Sequence, residues 1–304
     1  MKKEDLLYKP IIFIGTGRSG TSIISEIIMR HSELAFPSQY QNKFPKTNSI
    51  NYIRRLFDNK LWRIHGQKKQ LNKVNFLNRY TFNAVEAFKM WNAITEDGIN
   101  FSRDFLIDTS ASESDKSNIR KYFIKMIRGQ GKTRLSFKIT GPSKIEYLSS
   151  IFPDAFFIRI IREPIPMISS FLKSPFWQSR GESRLWWTGP YSSGEKKWIR
   201  DVGNPVAITA FQIKKILDIT DIECEKIDPN IKTIKYADFV SNPKNIVKEI
   251  LEFTELPHDK YCFDYFKSNK VYNRNKKDEE YFSKEDLQII HDIFQKNESH
   301  FLEI

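Results

Sequence analysis

A short apolar run followed by a glycine-rich turn constrains this chain more than any other stretch. Residues 11–14 are four apolar residues without polar alternation, as expected of a strand buried on both faces of a parallel sheet. Three glycines lie within residues 15–20, and from Thr21 apolar residues recur at helical spacing. The sequence therefore predicts strand, loop and helix in that order. Such a turn aims backbone N–H groups and the positive end of a helix dipole at one point, which favours an anion site, most often for phosphate.

The spacing within this loop matches part of the P-loop pattern G-x-x-x-x-G-K-[ST]. Gly15, Gly20 and Ser22 fit the pattern. Thr21 stands at the lysine position, and the basic residue of the loop is Arg18. This variant resembles the 5′-phosphosulfate loop of sulfotransferases that use 3′-phosphoadenosine-5′-phosphosulfate (PAPS), in which a lysine or arginine precedes Ser-Gly-Thr-Thr/Ser. The alternative is a strand-to-helix turn that binds no ligand.

The resemblance assigns the loop to the 5′-phosphosulfate group of PAPS. The residues that it implies as ligands, through backbone N–H groups and hydroxyls, are Gly17, Arg18, Ser19, Gly20, Thr21 and Ser22. It also implies a catalytic role for Arg18, which would neutralise charge on the sulfuryl oxygens during an in-line displacement. No metal is implied.

A second buried strand is predicted at residues 155–161, and Arg162 follows at its end. A helix that begins near Pro164 carries Ser170 about two turns later. This arginine and the serine eight residues on resemble the sulfotransferase site for the 3′-phosphate of PAPS. A fork-shaped guanidinium and a hydroxyl can converge on one phosphate at the carboxyl edge of a sheet.

Strands and helices alternate along much of the chain. Further strands are predicted at residues 104–108 and 135–139, with a helix at 119–128 between them. The alternation predicts an α/β fold, a doubly wound and mostly parallel sheet that includes the P-loop-like strand, loop and helix. Related enzymes have a lysine near a strand end that faces the transferred group, which implies a catalytic role for Lys138; an ordinary strand-end lysine is the alternative. Thr140 stands where cytosolic sulfotransferases have a histidine.

The C-terminal third resembles the same family at two further places. Tyr236 to Phe239, with Pro243, matches a Tyr-Glu-Asp-Leu…Pro segment that is mainly structural. Arg274 and Lys276 lie where the family folds a basic loop over the 3′-phosphate, so the resemblance implies that they bind the donor. A solvated run of charge is the alternative.

The composition limits the possible partners. The 304 residues carry a net charge of +12, which suggests an anionic ligand or partner. No zinc-ligand spacing, RNA-binding aromatic signature or long basic helix points to nucleic acid, so none is expected. Cys224 and Cys262 alone imply no disulfide framework. No signal segment and no run of eighteen apolar residues is found, which predicts a soluble, cytoplasmic protein without a membrane span.

We expect a single domain over residues 1–304 with two distinctive segments. Residues 41–90 hold eleven Lys and Arg against two acids, interleaved with aromatic residues. They predict a basic, helical insert at about 41–100, whose charged face is either solvated or attracts an acidic acceptor. Residues 174–204 are rich in Trp, Gly and Pro. They form either a lid over the substrate or a long loop anchored by buried indoles.

No residue is assigned as the base that takes the proton of the acceptor hydroxyl. Some related sulfotransferases have a glutamate soon after the second strand, but residues 38–42 offer amides there, and an amide does not accept the proton. His31 follows the first helix, where a histidine is more typical of a cap or dipole partner. The other candidates are left unranked: His65, Glu33, Asp104 and Asp108.

Together these features predict a PAPS-dependent sulfotransferase acting on a hydroxyl, less readily an amine, of a small-molecule or glycan acceptor. The expected acceptor is a carbohydrate or glycoconjugate, and an acidic one is among the options. A P-loop kinase-like phosphotransferase is one alternative, and it requires a lysine at position 21 and an acid that holds Mg²⁺ at a strand end. The other is a non-catalytic module that binds an anion or a glycan. The sequence predicts neither the acceptor nor the oligomeric state.

Overall fold

The computed structural model describes residues 6–57, 82–273 and 279–295. Its strands and helices are, in chain order, β1 (Ile11–Gly15), α1 (Thr21–Ile28), β2 (Leu34–Ala35), α2 (Gln39–Lys43), α3 (Ile50–Phe57), α4 (Phe88–Ile94), α5 (Glu113–Gln130), β3 (Arg134–Thr140), α6 (Ile145–Ile151), β4 (Phe156–Ile161), α7 (Pro164–Leu172), α8 (Pro175–Gln178), α9 (Ser193–Val202), α10 (Pro205–Ile227), β5 (Asn230–Lys235), α11 (Tyr236–Ser241), α12 (Pro243–Phe253), α13 (Lys260–Ser268) and α14 (Lys284–Gln295), with a 3₁₀ turn at Glu279–Tyr281 before α14.

The five strands form one parallel sheet in the order β2-β3-β1-β4-β5. The predicted α/β class with a mostly parallel sheet is therefore confirmed. The chain passes from one side of β1 to the other between β3 and β4, and open parallel sheets bind ligands beyond the carboxyl ends of the strands at such a switch point. Here that edge is reached by the residues that follow β1, β3 and β4.

Both faces of the central strand are buried, which explains its lack of polar alternation. Ile12 and Ile14 belong to one core, together with Phe137 of β3. Ile11 and Phe13 belong to the core on the opposite face. Side chains alternate across a strand, so a strand covered on both sides needs apolar residues throughout. This packing fixes the position of the loop that follows β1.

Local signals place the helix ends. Ser112 caps α5 by accepting a hydrogen bond from the Asp115 amide, and Gly131 ends the helix in the left-handed region. The predicted helix at 119–128 is thus confirmed and is longer than expected. The helix expected near Pro164 begins at that residue, because proline at the first helical position has a suitable fixed φ and its missing N–H is not needed there.

The predicted strand at residues 104–108 is wrong. The segment is a loop in which Asp104 forms one isolated bridge with Thr188. Leu106 and Asp108 have φ values of +58° and +52°. Such left-handed residues interrupt an extended strand. Neither residue is a glycine, so the sequence did not indicate a left-handed backbone at these positions.

The two distinctive segments are described to different extents. Within 41–100 the structure describes α3, α4 and part of α2, while residues 58–81 lie outside the described residues. Residues 174–204 contain α8 and α9. In the described part of the chain, no helix combines the length and apolarity needed to cross a bilayer.

Candidate active site

The loop after β1 is held against β4 and Tyr236. At Gly20, where φ is +95°, a Cβ would lie 2.3 Å from Cδ2 of Tyr236. At Gly15, a Cβ would lie 2.6 Å from the carbonyl oxygen of Ile160. Glycine is required at both positions because backbone and ring approach closer than any side chain permits. The loop could be predicted from the sequence because its glycines directly follow the apolar residues of β1.

The start of α1 has the donors that an anion needs. Gly20 is the N-cap residue and no side chain caps the helix, whose first turn carries no acid. The intrahelical hydrogen bond to Gly20 O comes from Ile24 N–H, at 3.4 Å. The amides of Thr21 and Ser22 lie before it in the chain, in the first turn of the helix. Together with the dipole of α1, this set of N–H groups fits a phosphate or phosphosulfate group. The hydroxyls of Ser19 and Thr21 lie 2.7 Å apart beside it.

The residues predicted for the two ends of the nucleotide meet at this edge. Arg162 Nη1 donates to the backbone oxygen of Arg18 at 3.0 Å. Arg18 Nε donates to Ser170 Oγ at 2.8 Å. The guanidinium carbon of Arg162 also lies 4.9 Å from the ring centre of Tyr236. Two cations and a hydroxyl therefore converge beside the glycine loop, where they could hold a second phosphate.

Lys138 lies on the other side of the loop. Its side chain is almost fully buried, and Nζ donates to Ser22 Oγ at 2.8 Å. Nζ also lies 3.4 Å from Oε1 of Glu86, to which the Thr140 hydroxyl donates at 3.2 Å. The two side chains predicted as catalytic therefore have different partners, since Arg18 contacts Ser170 and Lys138 contacts Ser22. A cation, a carboxylate and the start of α1 thus adjoin at the end of β3.

Glu86 is the residue that the sequence interpretation missed. It reaches the site because Ala84 forms an antiparallel bridge with Ser38, and the Val85 amide donates to the oxygen of Pro37 at 3.2 Å. The carboxylate thus lies near the chain that follows β2, where a glutamate was sought. One signal was available, since Glu86 is one of two acids among the basic residues 41–90.

The other candidates for the base lie elsewhere. His31 follows the end of α1 away from the loop, where Nδ1 accepts from the Glu33 amide at 3.2 Å and Nε2 donates to the oxygen of Pro257 at 2.9 Å. Glu33 precedes β2, at the amino edge of the sheet. Asp104 accepts from the Asn100 amide at 2.6 Å, and Asp108 pairs with Lys226 at 2.6 Å.

Three of the predicted residues lie outside the described residues, namely His65, Arg274 and Lys276. The described chain reaches position 273, and the carbonyl of Tyr272 accepts from the Tyr236 hydroxyl at 3.5 Å. The segment just before Arg274 therefore lies beside the ring that covers Gly20. Among the described residues, no three His, Cys, Asp or Glu side chains are grouped as a metal site.

A buried polar cluster supports the turn after β3. Ser143 Oγ donates to Glu223, whose other oxygen accepts from the Glu146 amide at 3.1 Å. Lys144 Nζ donates to the oxygen of Pro142 at 3.1 Å. Burial lowers the pKa of Lys144 to about 7 and raises the pKa of Glu223. Removal from water disfavours the charged form of each group, and the attraction between them offsets only part of that cost.

Indoles of the segment 174–204 anchor the wall of the site. Trp177 and Trp187 are buried, while Trp186 is partly exposed. Phe171 packs on Trp177 with ring centres 4.7 Å apart, and a Cβ at Gly17 would lie 2.7 Å from that phenyl ring. Trp177 and Trp187 therefore anchor this segment to the core and do not form a lid of free indoles over the site.

Comparisons with known proteins identify the family and the fold of the chain. A family model described as "Sulfotransferase family" matches residues 10–260. The fold is similar to that of a sulfotransferase from Mycobacterium avium, with a TM-score of 0.52 and 15% identity over 86% of this chain and 67% of that one. A sulfotransferase from Mycobacterium tuberculosis gives a TM-score of 0.52 and 11% identity over 96% and 78% of the two chains. At such identities the likeness is one of fold. No curated protein matches the sequence.

Proposed function

The chain belongs to the sulfotransferase family, and from that premise we propose that it transfers a sulfuryl group from PAPS to a hydroxyl of a carbohydrate or glycoconjugate. One observation carries the choice of donor. Arg162 hydrogen-bonds the backbone of Arg18 at 3.0 Å, so the guanidinium at the end of β4 adjoins the loop at the end of β1. A nucleotide with phosphates at both its 5′ and 3′ positions requires two such anion sites next to each other.

The residues divide into those that bind the donor and those that act on the reacting groups. PAPS, when bound, supplies the sulfuryl group and a leaving phosphate. The amides of Gly17 to Ser22 would hold the 5′ end, and Arg162 with Ser170 the 3′-phosphate. Arg274 and Lys276 would complete the 3′ site, which the contact between Tyr236 and Tyr272 supports.

We assign the transfer itself to Lys138 and Glu86. Lys138 Nζ, at 2.8 Å from Ser22 Oγ, would place positive charge where negative charge builds up between donor and acceptor. Glu86 would accept the proton of the acceptor hydroxyl while the hydroxyl oxygen forms its bond to sulfur. The hydrogen bond from Thr140 and the ammonium of Lys138 hold the orientation of the carboxylate. Arg18 lies at Ser170, so it would neutralise donor charge from the 3′ side.

Calorimetry tests the proposed donor directly. We expect adenosine 3′,5′-bisphosphate, the nucleotide product, to bind tightly without a metal and ATP with Mg²⁺ to bind weakly. Thr21 at the lysine position and Arg162 at the end of β4 already argue against a kinase-like nucleotide site. Preference for ATP with Mg²⁺ would indicate a phosphotransferase. Binding of neither nucleotide would indicate a non-catalytic module and refute the proposal.

A further inference from the structure

A group of arginines surrounds the partly exposed Trp186 on the wall of the site. The guanidinium carbons of Arg103 and Arg180 lie 4.8 Å and 4.9 Å from the centre of its ring. Arg184 belongs to the same surface, because its Nε donates to the oxygen of Arg180 at 3.1 Å. Among the described residues, none of these three arginines forms an ion pair with a carboxylate. We call this group, Arg103, Arg180, Arg184 and Trp186, the arginine–indole surface.

The arginine–indole surface adjoins the candidate active site through the next residue in the chain. A Cβ at Gly141, directly after Thr140, would lie 3.0 Å from Nε1 of Trp187. The ring of Trp187 also contacts Phe171, whose phenyl group covers Gly17, with ring centres 6.3 Å apart. Adjacent Cα atoms are about 3.8 Å apart. The backbone of Trp186 therefore lies next to that of Trp187, whose ring packs against the residue that follows β3.

Hydrogen bonds of a buried glutamine and of Arg103 hold this surface in place. Gln212 of α10 is fully buried, accepts from the Trp186 amide at 2.7 Å, and donates to the oxygens of Gly181 and Arg184 at 2.9 Å and 3.2 Å. Arg103 Nε donates to the oxygen of Trp186 at 2.8 Å. An ordered loop loses little entropy when a ligand binds, so its guanidinium groups are preorganised.

We propose that the arginine–indole surface binds an anionic group of the acceptor, so that the substrate is an acidic carbohydrate. This inference rests on the proposed function and adds the substrate class. Guanidinium groups match carboxylate and sulfate oxygens with paired hydrogen bonds, and the part of the Trp186 ring that stays exposed offers an apolar contact beside them. A surface of one charge sign also raises the local concentration of a ligand of the opposite sign.

Two matched pairs of sugars test the acidic-acceptor proposal and separate the two sources of negative charge. One is a tetrasaccharide of alternating glucuronic acid and N-acetylglucosamine, compared with its carboxyl-reduced form. The other is an N-acetylglucosamine tetrasaccharide with and without a 6-sulfate. Calorimetry with the adenosine 3′,5′-bisphosphate complex should show at least one acidic sugar binding about tenfold more tightly than its neutral parent. Equal affinities within both pairs, or no binding of any sugar, would overturn the inference.

Variants locate the effect on the protein. Arg180→Ala is the mildest change, because its guanidinium lies over the indole ring and forms no hydrogen bond or ion pair with another described residue. Arg180→Ala and the double variant Arg103→Ala/Arg180→Ala should lose the preference and keep the affinity for the nucleotide within about twofold. Arg128→Ala is the control, since Arg128 is exposed near the amino edge of the sheet. A preference that persists in both variants, or that Arg128→Ala also abolishes, would refute this assignment.

The design separates the acceptor inference from the donor proposal. If the wild-type protein fails to bind the nucleotide, the proposed function fails. The sugar comparison then proceeds without nucleotide, and a preference for the acidic sugar that Arg180→Ala removes would still support the arginine–indole surface. If the nucleotide binds and the acidic sugars show no advantage, only the acceptor inference fails.

Discussion

Replacing Arg162 by alanine separates the two ends of the proposed nucleotide site. Arg162 supports the loop through the hydrogen bond from Nη1 to Arg18 O, and loss of this bond costs about 0.5–1.5 kcal/mol for any nucleotide that needs this loop. A charge-assisted hydrogen bond to the 3′-phosphate adds about 1.5–3 kcal/mol that only a 3′-phosphorylated nucleotide loses. Since about 1.4 kcal/mol is tenfold in affinity, the variant should lose about 10- to 150-fold more affinity for adenosine 3′,5′-bisphosphate than for adenosine 5′-phosphate.

The assay is calorimetric titration of both nucleotides into the wild-type protein, Arg162→Ala and a matched control. Arg159→Ala is that control, because Arg159 lies on the same strand and pairs with Asp221 rather than with the loop. The control should keep the ratio of the two affinities near its wild-type value. Equal losses for both nucleotides in Arg162→Ala would show that the residue acts only through the loop, and would refute its assignment to the 3′-phosphate.

Three further predictions concern the base, the loop and the buried lysine. Glu86→Gln should lower kcat about 10²- to 10⁴-fold in a labelled-PAPS assay and leave nucleotide affinity unchanged; an unchanged kcat would exclude Glu86 as the base. Gly20→Ala should abolish nucleotide binding because its Cβ meets Tyr236, whereas Gly203→Ala, also at positive φ but with nothing within 4 Å of its Cβ, should bind normally; equal binding by both would contradict the packing. With the pKa of Lys144 lowered to about 7, the unfolded chain binds one more proton above that pH. The free energy of unfolding of the wild type, measured in urea, should therefore rise relative to that of Lys144→Met by up to about 1.4 kcal/mol per pH unit between pH 7 and 9. A difference between the two proteins that stays constant with pH would contradict this.

The parts of the fold that the sequence predicts are those whose signals are contiguous. A strand covered on both faces needs an unbroken apolar run, and Pro164 begins a helix because of its own ring, so both can be identified from a few neighbouring residues. The segment 104–108 also looks like a strand, but its backbone turns left-handed at Leu106 and Asp108. Tertiary contacts, among them the backbone hydrogen bonds with Thr188, fix that conformation, and the local sequence does not encode it.

The same distinction explains why the donor site is easier to predict than the acceptor site. The main part of each proposed anion site comes from one contiguous segment, which is the loop after β1 or the end of β4 with Arg162 and the following helix. Parallel strands bring such segments to one edge. The proposed base depends on a bridge between Ser38 and Ala84, and the arginine–indole surface on contacts of Trp186 with residues far away in sequence. Acceptor chemistry therefore resides in side chains that only the folded chain brings together. Families that share the loop can differ in substrate for this reason, because changes in such long-range contacts leave the donor segments intact.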